Sequence, residues 1–418
     1  MKKILLICHN FPPYPGIGGR RWAKFAKYLA LKGFEIHVIA SENPLEEISS
    51  WHNDIINKNI IVHRLPIKYP SAFINSSDSL VSKLKFRLLK AYYEFIQKKR
   101  IFDKAFLWQN QLINKAEEII KKHSIENIIV TGAPFYLLYY TSCLKKDHPQ
   151  LHIISDYRDP WIGAVNYGMQ QLKGKKLKLE LEMQKEVFYN SNYITAPNSF
   201  LLRKIQQSLG IENSEKFFEL PHGYDYEDIK PFLEERTNLP INKLKFLYAG
   251  TLYIDTENYI NQLVNFLDDV KENDLVLYEQ LAFEFYTPEV HLNELFKKHA
   301  DKVVFEKPIG TRIFEKLAKA DFCLLFLAEH NKDYCTTKFF EFLPFKKPYI
   351  LFGQKGFVSD FIISNNLGFY FSQNTNCSRF MELLKLKDSQ QKILNIENDY
   401  FENYSIENIT EKLITILK

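Results

Sequence analysis

Two threonines, a lysine and a glutamate stand close together near residue 340, and their types suit the recognition of a phosphorylated ligand. Thr336, Thr337 and Lys338 lie at the predicted start of a helix, and Glu341 lies about one turn further along. The first turn of a helix has backbone N–H groups that are free to bind an anion. A carboxylate one turn later would accept hydrogen bonds from a ribose diol. The pattern therefore predicts a nucleotide site, although a capped helix with a solvated glutamate would fit the same residues.

Two glycine-containing junctions could also admit a phosphate close to the backbone. Gly18 and Gly19 precede Arg20 and a predicted helix, and the arginine would compensate an anion at the helix start. Gly16-Ile17-Gly18 is not the start of a dinucleotide fingerprint, because it begins well after the strand and Arg21 occupies the third glycine position. A connector without function is the alternative. Gly250 and Thr251 follow the first strand of the second half, where a glycine alone is a weak signal.

Charged side chains crowd the end of another predicted strand. Asp156, Arg158 and Asp159 follow a short apolar run and precede Pro160 and Trp161. Charges at such a position are costly to bury unless they pair or bind a polar ligand. We predict that they position a hydroxylated acceptor, and a structural Asp–Arg pair is the alternative.

The elements that carry these residues follow an α/β pattern. Short apolar runs alternate with longer helical patterns, and this rhythm restarts in the second half of the chain, which predicts two doubly wound domains with parallel sheets. A length of 418 residues also favours two domains. A turn rich in Pro and Gly at 220–225 marks the expected boundary. We therefore predict domains at 1–222 and 223–395, with a C-terminal helical segment at 396–418.

Composition and charge narrow the class of protein. The chain is 46% hydrophobic and 25% charged, as in ordinary globular proteins, and it contains no apolar run of membrane-spanning length. The five scattered cysteines lack metal-type spacing, as do the His, Asp and Glu residues, so we predict no metal and no structural disulfide. The net charge of +5 arises in the first half, whereas the second half is net acidic. No recognised nucleic-acid-binding module accompanies the basic residues, so nucleic-acid binding is not expected.

Six short motifs, taken in order, resemble the retaining GT-B glycosyltransferases of the family 4 type, in the branch that bears Asp-Arg-Asp-Pro-Trp. The matching segments are 11–13 with 18–20, 131–135, 156–161, 220–225, 248–253 and 337–343. The resemblance implies a GT-B fold, in which two doubly wound Rossmann-like domains face a central cleft and the C-terminal segment packs back on the first domain. It also implies transfer of a hexose-type sugar, with retention, from a nucleotide-diphosphate donor to a glycan or lipid-linked acceptor in cell-surface polysaccharide synthesis.

The resemblance further assigns roles to particular residues. The second acid of the family's Glu-x7-Glu pattern maps onto Glu341, which would hold the nucleotide ribose, and the first maps onto Asp333, one methylene shorter. Gly18, Gly19, Arg20, Gly250, Thr251, Thr336, Thr337 and Lys338 would complete the donor site. Such enzymes look metal-independent, with no cofactor besides the nucleotide sugar. The basic residue that many relatives carry soon after the Gly250 strand is missing between Tyr253 and Tyr259.

A basic stretch at 83–104 has aromatic and aliphatic residues interleaved with its charges. Such a segment either lies on the inner leaflet of the cytoplasmic membrane or packs as a solvated helix on its own domain. We therefore expect a cytoplasmic protein that is either free or peripheral on this membrane. Two alternatives to sugar transfer share the architecture, namely a nucleotide-sugar 2-epimerase and a GT-B protein that binds without turnover.

Overall fold

The computed structural model describes residues 2–14, 17–42, 48–67, 79–96, 103–164, 167–233, 243–253, 256–327, 336–372, 384 and 401–418. The chain divides into two compact units. The first unit comprises Met1–Pro221 and Ile409–Lys418, and the second comprises His222–Asn408. Each unit is built around one parallel β-sheet.

The first unit contains a seven-stranded sheet in which every described strand pair is parallel, in the order β3-β2-β1-β4-β5-β6-β7. The strands are β1 Lys3–Ile7, β2 Glu35–Ser41, β3 Ile60–Leu65, β4 Asn127–Gly132, β5 His152–Tyr157, β6 Tyr193–Ala196 and β7 Phe217–Glu219. The central strands are almost wholly buried because helices cover both faces of such a sheet. The edge strand β7 was not predicted, since three half-exposed residues give no clear apolar run.

Helices connect these strands. They are α1 Arg20–Leu31, α2 Leu80–Ile96, α3 Gln109–His123, α4 Tyr136–Cys143, α5 Gly174–Asn190 and α6 Ser199–Leu209. The end of the chain also belongs to this unit: Asn127 hydrogen-bonds the backbone of Lys418, and His152 Nε2 lies 2.7 Å from the carbonyl oxygen of Ile416.

The second unit contains a six-stranded sheet in the order β10-β9-β8-β11-β12-β13, again with every described pair parallel. Its strands are β8 Leu244–Ala249, β9 Leu281–Tyr286, β10 Val303–Glu306, β11 Phe322–Leu327, β12 Tyr349–Gly353 and β13 Gly368–Phe371. Its helices are α7 Tyr226–Leu233, α8 Glu257–Asn273, α9 Leu275–Gln280, α10 Ile313–Ala318, α11 Thr337–Phe342 and α12 Phe357–Ser364, and α13 Ile406–Thr415 follows near the end of the chain.

The second unit has two hydrophobic cores, and successive side chains of β11 pack alternately into one and the other. Cys323 and Leu325 contribute to one core, whereas Phe322, Leu324 and Phe326 contribute to the other. Successive residues of a strand point to opposite faces of the sheet, so one strand supplies both layers. Aromatic rings stack across neighbouring strands, with 4.7 Å between the rings of Phe246 and Phe322.

Candidate functional site

The order of strands reverses once in each sheet, and the predicted site residues lie beside these reversals. In the second sheet the chain runs outward through β9 and β10 from β8, and outward through β12 and β13 from β11. Ligands of doubly wound sheets bind outside the carboxyl ends of the strands at such a switch point. Gly250 and Thr251 follow β8, and α11 is the helix that follows its neighbour β11. The predicted donor residues of this unit therefore belong to the two segments that flank one switch point.

Hydrogen bonds to neighbouring residues of the second unit fix the loop that follows β8. The Gly250 amide donates to the Tyr286 carbonyl at 3.1 Å, and the Tyr248 hydroxyl donates to the Thr251 carbonyl at 3.0 Å. A Cβ atom on Gly250 would lie 3.2 Å from the Tyr248 hydroxyl, so this close approach favours glycine. Glu289, which follows β9, accepts a hydrogen bond from the Leu252 amide at 2.9 Å. Glu289 cannot be identified as a neighbour of this loop from the sequence, because only the sheet brings the two together.

Helix α11 is short, and its polar residues contact one another. Thr336 caps it, since its hydroxyl accepts a hydrogen bond from the Phe339 amide at 3.4 Å. Lys338 Nζ lies 3.3 Å from Glu341 Oε2. The Glu341 side chain is 6% exposed and the Lys338 side chain 34%, so the lysine is the more accessible partner. Asp333 lies outside the described residues.

In the first sheet the reversal lies between β1 and β4, and the loops after β1 and β5 are tied together near it. Arg158 Nη1 donates to the Gly18 carbonyl at 2.9 Å. Gly19 permits the start of α1 to approach the preceding loop, because a Cβ atom there would lie 3.2 Å from the Asn10 carbonyl oxygen. The close backbone approach explains Gly19 without requiring a ligand, whereas a Cβ atom on Gly18 would meet the end of the Arg158 side chain, 2.9 Å from Nη1. Arg20, predicted to face a phosphate, has a buried side chain.

Asp156 is an interior residue with an ion-pair partner that its sequence neighbourhood did not reveal. Its carboxylate is inaccessible to solvent and lies 3.0 Å from Arg21 Nη2. It also accepts hydrogen bonds from Trp22 Nε1 at 2.9 Å and from the hydroxyls of Thr131 at 3.0 Å and Thr195 at 2.9 Å. Four side chains from three elements, α1, β4 and β6, thus converge on one carboxylate. This environment favours a structural role for Asp156 and leaves its predicted contact with an acceptor a hypothesis.

Arg21 extends this network to the end of the first unit. Its guanidinium donates to the carbonyl oxygens of Leu220 at 2.7 Å and Pro221 at 2.9 Å. The Asp156–Arg21 pair therefore connects β5 and α1 to residues 220–221, the last residues of the first unit before the second unit begins. We infer that the arginine is needed for the fold of this unit.

Trp161 anchors the other end of the charged segment. Its indole Nε1 donates to Glu180 Oε2 at 2.9 Å, and its ring stacks on Phe135 at a centroid distance of 5.6 Å. Glu180 is fully buried and also accepts a hydrogen bond from the Tyr136 hydroxyl at 2.7 Å. Asp156 and Trp161 therefore fix both ends of a short loop.

Between these anchors lie Arg158 and Asp159, which are partly exposed. Arg158 Nε is 3.8 Å from Asp159 Oδ2, and the side chains are 24% and 18% exposed. Burial raises the pKa of Asp159, and the neighbouring Arg158 charge partly offsets this rise. These two residues are thus the members of the motif best placed to meet a polar ligand.

Two buried titratable groups at the same edge of the first sheet were not singled out from the sequence. Asp103 accepts hydrogen bonds from the backbone amides of Phe135 and Tyr136 at the start of α4, and burial raises its pKa to about 6. His9 follows β1, and burial lowers its pKa to about 4. The Asp103 carboxylate therefore accepts the hydrogen bonds that the amides at the start of α4 would otherwise offer to a ligand anion.

Two doubly wound units with parallel sheets define the GT-B fold, as predicted. No protein-family model and no curated protein sequence matches the chain. Among solved structures it is similar to WaaG, a glycosyltransferase involved in lipopolysaccharide biosynthesis, at 12% identity over 99% of each chain with a TM-score of 0.57. It is also similar to UDP-GlcNAc 2-epimerase from Methanocaldococcus jannaschii, at 13% identity over 99% of this chain and 100% of that chain, with a TM-score of 0.56.

A third solved structure, trehalose-6-phosphate from E. coli bound with UDP-2-fluoro glucose, matches at 10% identity over 99% of this chain and 98% of that chain, with a TM-score of 0.64. At these identities the likeness concerns the fold. The narrower resemblance to the family 4 branch stays a prediction.

Proposed function

We propose that the protein transfers a sugar from a nucleotide-diphosphate donor to a glycan or lipid-linked acceptor. The observation that carries this proposal is the switch point of the second sheet, flanked by the Gly250–Thr251 loop and by the helix that bears Lys338 and Glu341. A nucleotide sugar needs a site with close access to the backbone, a cation for the diphosphate and a carboxylate for the ribose. In this proposal Gly250, Lys338 and Glu341 would supply these three features.

In this proposal the Lys338–Glu341 contact opens or is shared when the donor binds. Lys338 is the more exposed partner, so its ammonium can turn toward a phosphate oxygen, while the buried Glu341 stays to accept hydrogen bonds from the ribose hydroxyls. Thr336 and Thr337 would add hydroxyl or amide donors at the start of α11. Asp333 would contact the transferred sugar.

We further propose that transfer proceeds with retention and without a metal ion. The bond between the anomeric carbon and the diphosphate oxygen breaks, and the acceptor oxygen bonds to the same face of the sugar. The acceptor proton passes to the departing phosphate oxygen. Lys338 would stabilise the negative charge on the leaving diphosphate. Arg158 and Asp159 would orient the acceptor, and their partial exposure at the edge of the first sheet supports this role.

Calorimetry with nucleotide diphosphates tests the donor site. A thermal-shift screen of UDP, GDP, ADP and dTDP first selects the base, and the selected ligand is then titrated into Lys338→Met and Glu341→Gln. Hydrogen bonds to charged groups contribute about 1.5–3 kcal/mol, so each variant should weaken binding roughly 10- to 100-fold.

Lys319→Met and Glu315→Gln provide matched controls, because these residues form an exposed ion pair 2.9 Å apart beside α10. Both controls should retain wild-type affinity. The donor site is wrong if no nucleotide shifts the melting temperature, or if Lys338→Met and Glu341→Gln bind as tightly as the wild type.

A 2-epimerase is the second candidate, and the likeness to UDP-GlcNAc 2-epimerase supports keeping it. Incubation with UDP-N-acetylglucosamine alone separates the two activities, because an epimerase forms the 2-epimer without an acceptor. A transferase instead releases nucleotide diphosphate only when an acceptor is supplied. Donor binding with neither product across a panel of acceptors would favour a GT-B protein that binds without turnover.

Helix α2 supports a proposal about the location of the acceptor. Five of its exposed large apolar side chains recur at intervals close to one helical turn, namely Leu80, Leu84, Leu88, Tyr92 and Phe95, and Val81, Phe86 and Ile96 are exposed as well. Lys83, Lys85, Arg87 and Lys90 lie among them. An apolar stripe with basic neighbours is typical of a helix that lies on an anionic membrane surface. We propose that α2 holds the protein on the inner leaflet, where lipid-linked acceptors would be. No described helix is long and apolar enough to cross a membrane.

Vesicle co-sedimentation tests this contact. Phosphatidylglycerol vesicles should retain the protein and phosphatidylcholine vesicles should not, and added salt should release it because it screens the lysine and arginine charges. Leu88→Asp should lower the bound fraction, whereas Val276→Asp, an equally exposed apolar site in the second unit, should not. Equal binding by both variants would refute the assignment of α2.

A further inference from the structure

A cluster of histidines and a glutamate lies at the amino edge of the first sheet. Glu35 begins β2, and His37 lies two residues further, on the same face of the strand. His123 is the last residue of α3. One ligand atom from each of these residues lies within 4.8 Å of the other two. This cluster is not apparent from the sequence, because 86 positions separate His37 from His123.

The distances within the cluster are close to those of a metal site. Glu35 Oε1 lies 2.9 Å from His37 Nε2 and 3.9 Å from His123 Nδ1. Zinc binds histidine nitrogen and carboxylate oxygen at about 2.0–2.2 Å in a tetrahedron, which places ligand atoms roughly 3.3–3.5 Å apart. The observed separations bracket this range. The nitrogens of His37 and His123 lie within 4.8 Å of each other, so side-chain movements of about 1 Å would bring the three atoms to the required spacing.

A fourth residue orients the central ligand. His37 is fully buried, and its Nδ1 lies 3.1 Å from Nε2 of His63, with the two rings stacked at an interplanar angle of 14°. Histidines that bind metals almost always use the second ring nitrogen for such a hydrogen bond, which fixes the ring and its tautomer. Glu35 Oε1 accepts a hydrogen bond from His37 Nε2 at 2.9 Å. A metal ion would take the place of that proton, and His37 Nδ1 would then donate to His63. This contact is independent of the three-residue cluster itself.

We propose that Glu35, His37 and His123 bind one divalent transition-metal ion such as Zn²⁺. Two imidazoles and a carboxylate form a donor set that zinc commonly takes, with a fourth position left for water. Lys3 Nζ lies 3.6 Å from Glu35 Oε1, and its side chain is 35% exposed, so it can turn to solvent when a cation takes that oxygen. The ion would join the end of α3 to the start of β2.

This site is separate from sugar transfer. It lies at the amino ends of the strands, whereas the proposed acceptor residues follow the carboxyl end of β5. The ion would therefore stabilise the first unit without taking part in the reaction. Loss of this site would leave the proposed donor site unaffected, so the two proposals fail independently.

Titration of chelator-treated full-length protein with Co²⁺ and Zn²⁺ tests the inference. We expect one ion per chain by calorimetry, visible ligand-field bands of tetrahedral Co²⁺ that Zn²⁺ displaces, and a higher melting temperature with metal. His123→Ala and Glu35→Gln should each weaken Zn²⁺ binding at least about tenfold and abolish the metal-dependent rise in melting temperature.

His291→Ala is the matched control, because this exposed histidine lies in the second unit, and it should bind as the wild type does. The metal assignment is overturned if the wild type shows no tetrahedral Co²⁺ spectrum. It is equally overturned if His123→Ala and His291→Ala bind Zn²⁺ with the same affinity.

Discussion

Replacement of Asp156 by asparagine separates a structural from a catalytic role for the charged segment after β5. The substitution keeps the size of the side chain but removes its charge, and the NH2 group that replaces one carboxylate oxygen donates hydrogen bonds and cannot accept them. Because the carboxylate accepts hydrogen bonds from Arg21, Trp22, Thr131 and Thr195, at least one of these donors must lose its partner. Arg21, at 3% exposure, would be left as a buried charge without its counter-ion.

The magnitude follows from the burial of the pair. Removal of one partner of a buried ion pair costs about 3–5 kcal/mol, because the remaining charge is not solvated. For a domain of roughly 150–250 residues, each kcal/mol lowers the melting temperature by about 2–4 °C. We therefore expect Asp156→Asn to melt roughly 6–20 °C below the wild type. Urea unfolding followed by circular dichroism supplies the free energy, and differential scanning calorimetry supplies the melting temperature.

Asp159→Asn is the matched control, three residues away in the same loop. Its carboxylate is 18% exposed and lies 3.8 Å from Arg158, so its loss should cost less than about 1 kcal/mol. If Asp159 orients the acceptor, this variant should lose turnover while donor affinity is unchanged. The structural assignment of Asp156 would be refuted if Asp156→Asn unfolded within about 1 kcal/mol of the wild type and yet lost turnover.

Three further substitutions test local packing and electrostatics. Trp161→Phe removes a donor to the buried Glu180 carboxylate and should lower the free energy of unfolding by about 1–3 kcal/mol in urea titrations; wild-type stability would contradict this. Gly19→Ala should cost about 1–3 kcal/mol, because its Cβ would meet the Asn10 carbonyl at 3.2 Å, and an unchanged melting temperature would show that the loop yields easily. Folded Asp103 holds its proton up to about pH 6, whereas its ordinary pKa is 3.8, so wild-type stability should fall as the pH rises through this interval. Asp103→Asn should therefore gain stability relative to the wild type from about pH 4 to 6, and a pH-independent difference would contradict the raised pKa.

Local patterns in the sequence were sufficient for the fold class. Apolar runs such as those of β4 and β11 predict buried parallel strands, because both faces of such strands are covered and nearly every residue is apolar. The alternation of short apolar runs with helical patterns begins again after residue 242, and this repetition predicts a second unit of the same kind. The cap of α11 was also readable, since a threonine that accepts a hydrogen bond from the amide three residues later is a local interaction.

The hydrogen-bond and ion-pair partners of the charged residues could not be predicted from local sequence patterns. The sequence offers a structural Asp–Arg pair within residues 156–159 as one interpretation, but the structure pairs Asp156 with Arg21, 135 residues away. Strand β5 ends at Tyr157, so Arg158 lies in the loop that follows it, and a buried carboxylate selects whichever donors the fold brings to its own position. Glu289 came to the loop after β8 in the same manner.

The sequence by itself determined the kind of elements, their order and the junctions at which polar residues gather, because periodicity, capping and glycine placement act over a few residues. The tertiary structure alone decided which of those polar residues are interior and which remain accessible. The fold buries Asp156 among several hydrogen-bond donors and leaves Arg158 and Asp159 partly exposed. It also brings His123 next to Glu35 and His37. The physical reason is that burial and charge pairing depend on distances in space, and chain closure over many residues sets those distances.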